Sequence, residues 1–197
     1  GQGIAARMPV VIQSPLPMSV RRLSPVPVVI VTGVENAGKT TLSEDLAAAL
    51  QWDLLPEAAR TDRQVIEGDA DHKHLQHMLG QFNLRLSELS TTAQNGVICD
   101  TGGLVLDIWS KHVFGRGLIG AASAMDKAQL HLLCHTLPVW EPDPLRSMPK
   151  HTDRVQLESE YRNRLTRSEA PFCELAPLDP SARLQQAIDC IRKHCPL

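Results

Sequence analysis

Between the β-branched run Val28-Val29-Ile30-Val31 and a helical recurrence of Leu42, Leu46, Ala49 and Leu50 stands Gly33-Val34-Glu35-Asn36-Ala37-Gly38-Lys39-Thr40. This is a complete Gly-x-x-x-x-Gly-Lys-Thr phosphate loop in the strand–loop–helix setting that such a loop requires. The glycines permit backbone angles that turn N–H groups inward as an anion nest. The helix opening at the loop points its positive dipole end at the same place. Lys39 is expected to reach the β- and γ-phosphates of ATP and Thr40 to offer its hydroxyl to Mg²⁺, with Gly33, Glu35, Asn36, Ala37, Gly38 and Thr41 completing the nucleotide cradle.

The loop implies a fold, and the rest of the chain agrees with it. Apolar runs at Leu54-Leu55, Val97-Ile98-Cys99, Leu130–Cys134 and Pro171–Leu178 alternate with helical patterns. The longest pattern carries Leu75, Met78, Leu79, Phe82, Leu86 and Leu89; another surrounds Leu106, Trp109 and Val113. Asp179-Pro180 opens a final helix with an N-cap followed by proline at the first turn. Short strands alternating with helices predict a parallel sheet covered on both faces. The expectation is α/β: a three-layer P-loop NTPase fold with a five-stranded parallel sheet and a helical lid.

At 197 residues and 43% hydrophobic, the chain has the material for one such domain, placed at residues 27–197 with the lid at about 140–167. Residues 1–26 hold four prolines, three arginines and no acid, and are expected to be a loosely ordered extension. Twenty basic against twenty-two acidic side chains give no basic excess for nucleic acid. No apolar run approaches the ~20 residues that span a bilayer, so no membrane partner is expected. Five cysteines without a Cys-x-x-Cys pair read as mostly buried, reduced thiols, hence a cytoplasmic protein; Cys190 and Cys195 have no matching pair for a zinc site.

The remaining candidate residues sit where strand ends should meet the phosphates. Asp100 closes the run Val97-Ile98-Cys99 and could be a general base or a magnesium-shell acid. Glu57 and Arg60, just past Leu54-Leu55, could grip the acceptor or form an i,i+3 surface pair. The arginine-bearing stretch from Trp140 to Arg167 suits a flap that excludes water, with Arg146 and Arg154 offered to the transferring phosphoryl group. The other arginines there, Arg162, Arg164 and Arg167, read as surface. Asp71, His72, His74 and His77 crowd one segment without a matching ligand cluster and are not read as a metal site.

On these residues the chain resembles the P-loop nucleoside- and nucleotide-kinase-like group, and more narrowly the nicotinamide riboside kinase domain of bacterial NAD-biosynthesis regulators. The resemblance runs from about Val28 to Ile191. It rests on Thr32–Leu42 with an acid inside the loop, on Pro56-Glu57-Ala58-Ala59-Arg60, on Asp100-Thr101, and on Asp143-Pro144-Leu145-Arg146 followed by Arg154. The resemblance implies acceptor contacts for Glu57, Arg60, Asp143 and Arg154. Two positions depart from the family pattern: Gly102 replaces the second acid of an Asp-Thr-Asp strand end, and Pro144 replaces a glycine. The expected activity is Mg²⁺-dependent transfer of the ATP γ-phosphate to a hydroxyl of a small nucleoside-like acceptor, with Lys39, Asp100 and Arg146 as the catalytic groups. Gly102 motivates the alternative, a regulatory nucleotide-binding module that is non-catalytic or hydrolyses ATP.

Overall fold

The computed structural model describes residues 25–197. Five strands form one sheet: β1 (Val28–Thr32), β2 (Asp53–Leu55), β3 (Val97–Asp100), β4 (Leu130–Cys134) and β5 (Phe172–Leu175), in the order β2-β3-β1-β4-β5. Every neighbouring pair is parallel. The expected five strands are therefore all present. The short edge strand β2 pairs in register with β3, Leu55 opposite Cys99.

The described residues also form seven helices, most of them packed about the sheet: α1 (Lys39–Leu50), α2 (Arg63–Ile66), α3 (His72–Thr92), α4 (Gly103–Phe114), α5 (Ala121–Met125), α6 (His151–Arg167) and α7 (Pro180–His194). Alternate residues of each strand go to opposite layers. Val29, Val31, Ile98, Leu130 and Leu132 meet Leu42 and Leu46 of α1 and Ala187 and Ile191 of α7. Ile30, Val97 and Cys99 meet Phe82 and Leu86 of α3. Leu133 joins Leu104 and Ile108 of α4 and Tyr161 and Leu165 of α6. Both sheet faces are thus buried, which is why the strands read as unbroken apolar runs rather than alternating ones. Each fully buried aliphatic side chain contributes roughly 1.5–3 kcal/mol.

Close approaches fix several glycines. A Cβ at Gly96 would lie 2.4 Å from the Trp52 ring. At Gly102 it would lie 2.9 Å from Ile30 Cγ2 and 3.5 Å from Phe82 Cζ. The position that departs from the Asp-Thr-Asp pattern is therefore packed against Ile30 of the sheet, and a side chain there would require Ile30 to shift.

The end of the extension read at residues 1–26 is ordered: Val26 is buried against the α3 layer. Residues 1–24 lie outside the described residues. Among the described residues, no helix is long and apolar enough to cross a membrane.

The cysteine reading needs correction. Cys173 of β5 and Cys190 of α7 are joined as a disulfide, with Cα atoms 6.6 Å apart. They meet because α7 packs back onto the edge strand, a contact across 17 residues of sequence that no local motif announces. Cys99, Cys134 and Cys195 are buried free thiols.

Candidate active site

In a parallel sheet the carboxyl ends of all strands share one edge, and the functional side chains collect there. The central strand β1 delivers the phosphate loop. Its neighbour β3 ends at Asp100, paired with Val31. The loop takes the backbone angles its motif requires, with positive φ at Gly33, Asn36 and Gly38. A Cβ at Gly33 would also sit 2.6 Å from the Cys134 carbonyl oxygen, so the loop passes tightly over the end of β4.

Lys39 folds back on its own loop. Its Nζ donates to the carbonyl oxygens of Gly33 (2.8 Å) and Val34 (2.7 Å). Burial lowers its pKa, and the carboxylates of Glu57, Asp100 and Glu35 work against that. These carbonyl contacts hold the ammonium where phosphate oxygens would compete for it. Thr40 Oγ1 donates to Asp100 Oδ2 at 2.7 Å, joining residues 60 apart in sequence. Asp100 is only 3% exposed. A hydroxyl and a carboxylate in contact form a hard, all-oxygen donor set that fits Mg²⁺. Next to Asp100, Thr101 has φ +70°, a left-handed backbone that a β-branched residue adopts only under constraint from its surroundings.

Two cavities flank this pair. One, about 140 Å³, is lined by Glu35 to Thr41 together with Arg60 and Arg146. The other, about 300 Å³, lies under α3 and α4 and is lined by Asp100, Asp62, His74, Phe82, Arg85 and Trp109 among others. Glu57 lines both. Its pKa is raised, first by burial and then by the neighbouring Asp100 charge, against the pull of Lys39 and Arg60.

Glu57, Arg60 and Asp143 form a chain of charges. Arg60 Nε lies 3.2 Å from Glu57 Oε2, and Arg60 Nη1 lies 2.9 Å from Asp143 Oδ2. The i,i+3 pair forms, and both of its residues line the smaller cavity. The Leu145 amide and the Arg60 guanidinium lower the Asp143 pKa.

The segment between β4 and α6 is stitched to the phosphate loop. Asn36 Nδ2 donates to the carbonyls of Leu137 (3.2 Å) and Val139 (2.8 Å), while its Oδ1 accepts from the Glu141 amide (3.0 Å) and from Arg146 Nη1 (3.2 Å). Glu35 accepts from the amides of Ser147 (2.9 Å) and Met148. Glu35 and Asn36 of the loop therefore hold this segment.

Arg154 does not face either cavity. It is 0% exposed, and its guanidinium donates to Thr136 Oγ1 (2.8 Å) and to the carbonyls of Met148 (2.9 Å), Pro149 (2.8 Å) and Leu137 (3.0 Å). Trp140 stacks on it, its ring centroid 5.1 Å from Cζ. In this structure Arg154 holds the segment between β4 and α6 together. Arg162 pairs with Glu174 at 2.6 Å, and Arg164 ties α6 to the buried Asp107 of α4 at 2.6 Å, so neither is a plain surface residue.

Sequence reasoning missed several residues. Arg183 of α7 donates to the carbonyls of Ala37, His135 (2.8 Å) and Ala176 (3.0 Å), bracing the phosphate loop from behind. No motif marks it. His74 lies on the large cavity and bonds Asp62 at 2.9 Å, while His72 bonds the Gly117 carbonyl at 3.0 Å. The helical spacing of His74, Met78 and Gln81 was the available signal that one face of α3 forms a cavity wall.

The model of an AAA-domain family matches residues 28–183. The chain belongs to this family. Among curated proteins, none matches it in sequence. Among solved structures it shares its fold with NadR protein in complex with NR, at TM-score 0.64 and 19% identity; the match covers 87% of this chain and 52% of that one. The chain thus spans about half the length of NadR. Deoxyadenosine kinase from M. mycoides with dCMP and dCDP bound is similar over 84% of this chain and 98% of that chain, at TM-score 0.60 and 14% identity. YorR protein from Bacillus subtilis is similar at TM-score 0.56 and 13% identity, over 86% of this chain and 99% of that one. The fold is that of P-loop nucleoside kinases.

Proposed function

We propose that the chain transfers the γ-phosphoryl group of ATP to a hydroxyl of a small nucleoside-like acceptor, nicotinamide riboside being the first to try. The observation that carries this reading is the placement of Glu57 and the Thr40–Asp100 pair between two cavities of unequal character. One is small and walled by the phosphate loop. The other is larger and walled by apolar and aromatic side chains with a few polar groups, the make-up of a small-molecule pocket. Two substrates seated there would meet at these carboxylates.

Thr40 and Asp100 would hold Mg²⁺, which when bound neutralises charge on the β- and γ-phosphate oxygens. The loop amides and Lys39 would bind the phosphates, the ammonium leaving the Gly33 and Val34 carbonyls to do so. Arg146, already at the loop through Asn36, would add a fork of donors. The acceptor oxygen forms a bond to the γ-phosphorus as the bond to the bridging oxygen of ADP breaks. The acceptor proton must go to a base. Asp100 has one oxygen committed to Thr40, so Glu57, which borders both cavities, is the better placed acceptor of that proton. Arg60 and Asp143 would hold Glu57 and the covering segment in register.

The test separates the two carboxylates. Glu57→Gln should lower kcat by about 10²–10⁴-fold and leave ATP affinity nearly unchanged. Asp100→Asn should weaken Mg²⁺ dependence as well as rate. Because Glu57 has a raised pKa, the wild-type rate should fall with decreasing pH at higher pH than an ordinary carboxylate would give. Equal rates for Glu57→Gln and wild type would remove Glu57 as the base. A regulatory module would instead bind ATP and phosphorylate no acceptor.

A further inference from the structure

We propose that the thiols of Cys173 and Cys190, together with the imidazole of His194, form a Zn²⁺ site that the Cys173–Cys190 disulfide closes. The ligand atoms of these three residues lie within 4.8 Å of one another. Two of them, Cys190 and His194, sit at i and i+4 on α7 and so share one helix face. Cys173 comes from β5, against which α7 packs. The set is therefore built by a strand and a helix of the rigid core, remote from the phosphate loop, and Cys195 has no part in it.

The donor chemistry selects the ion. Two thiolates and one imidazole are soft-to-borderline ligands that favour Zn²⁺ over Mg²⁺ or Ca²⁺. Two thiolates on one tetrahedral zinc, with Zn–S near 2.3 Å, stand about 3.8 Å apart. The 6.6 Å spacing of the Cα atoms is at the wide end of what a disulfide spans, so the same backbone admits that separation with little movement. Burial grades across the set: Cys190 is buried, Cys173 half-buried and His194 exposed. An ion would enter from the His194 side and keep that side open to a fourth ligand, water. His194 is also the last residue of α7, where the negative end of the helix dipole favours a cation.

The two states exclude each other because they use the same sulfur atoms. A dithiol reductant breaks the S–S bond, supplying two electrons and two protons and becoming a disulfide itself. Binding of Zn²⁺ then releases the two thiol protons. In either state α7 stays clamped to β5, with Arg183 of that helix on the phosphate loop. Only the reduced chain without metal would lack the clamp.

The probe is Co²⁺, then Zn²⁺, added to the full chain after reduction and removal of the reductant. We expect one equivalent of Co²⁺ with a thiolate-to-cobalt charge-transfer band, its displacement by one equivalent of Zn²⁺, and a higher Tm with zinc. The disulfide form should bind neither. His194→Ala touches an exposed side chain and should leave the fold intact by circular dichroism. It should weaken zinc by at least about tenfold, since even the outer-shell partners of metal-bound histidines are worth that much. Cys173→Ser should abolish the charge-transfer band. The proposal falls if the reduced chain shows no such band, if His194→Ala binds zinc as tightly as wild type, or if the disulfide resists dithiol reductants while the chain remains folded.

Discussion

His131 sits in the middle of β4, only 1% exposed, and among the described residues neither of its ring nitrogens has a hydrogen-bond partner. Burial pushes its pKa from 6.5 down to about 4. Its folded pKa lies below its unfolded one, so between these values the unfolded chain binds a proton that the folded chain refuses. The stability tied to this residue is complete above about pH 6.5 and is lost as pH falls toward 4. The full shift corresponds to about 3 kcal/mol, and the part lost between about pH 7.5 and pH 5 to about 2 kcal/mol. That is a large share of the ~5–15 kcal/mol that holds a typical domain together. The perturbation is His131→Leu, which keeps the volume and removes both unpaired nitrogens. Urea unfolding followed by tryptophan fluorescence at the two pH values measures it. The variant should lose about 2 kcal/mol less than wild type over this interval, and should be no less stable at neutral pH, because it removes buried polar atoms that lack partners. Equal pH slopes for the two proteins would refute the reasoning.

Other expectations follow from packing and from the site. Gly96→Ala should destabilise by about 1–3 kcal/mol, because its methyl must displace the Trp52 ring, and the fluorescence spectrum should shift. Arg154→Met should cost about 2–4 kcal/mol by stranding the Met148 and Pro149 carbonyls and taking a donor from the Leu137 carbonyl and the Thr136 hydroxyl, a loss read in the urea midpoint. It should also weaken ATP through the loosened covering segment. An unchanged midpoint with abolished transfer would instead give Arg154 a direct role at the phosphates.

What could be read from the residues depended on how local the physics is. The phosphate loop, the runs that became five strands, and the Asp179 N-cap all rest on contacts within a few residues. Asp179 does accept from the amides of Ser181 and Ala182. Asp100 and Glu57 could be singled out because strand ends in a parallel sheet converge, and the structure sets both on the wall of the larger cavity. The partners of Arg154 were not legible because an arginine on a helix carries the same signal whether it meets phosphate or four neighbouring oxygens. Its partners lie in a segment of irregular backbone with no pattern of its own. Arg183 and the Cys173–Cys190 pair depend on how α7 docks against β5, a contact visible only in three dimensions. Gly102 reads as a lost acid in sequence; in the structure a Cβ there would press on the Ile30 side chain, a tertiary contact that the residue pattern does not carry. The helical spacing of His74, Met78 and Gln81 marks a face of α3 but does not tell a cavity wall from a core face, since the two look alike in sequence.

The central claim is phosphoryl transfer across the Glu57–Asp100 boundary. A phosphorus NMR time course with Mg-ATP and a panel of nucleosides that includes nicotinamide riboside tests it most directly, with Lys39→Ala run alongside. A phosphomonoester resonance should grow as the γ-phosphate signal of ATP declines, with neither change in the mutant. ATP that binds and stays intact with every acceptor, or inorganic phosphate released without one, would contradict it.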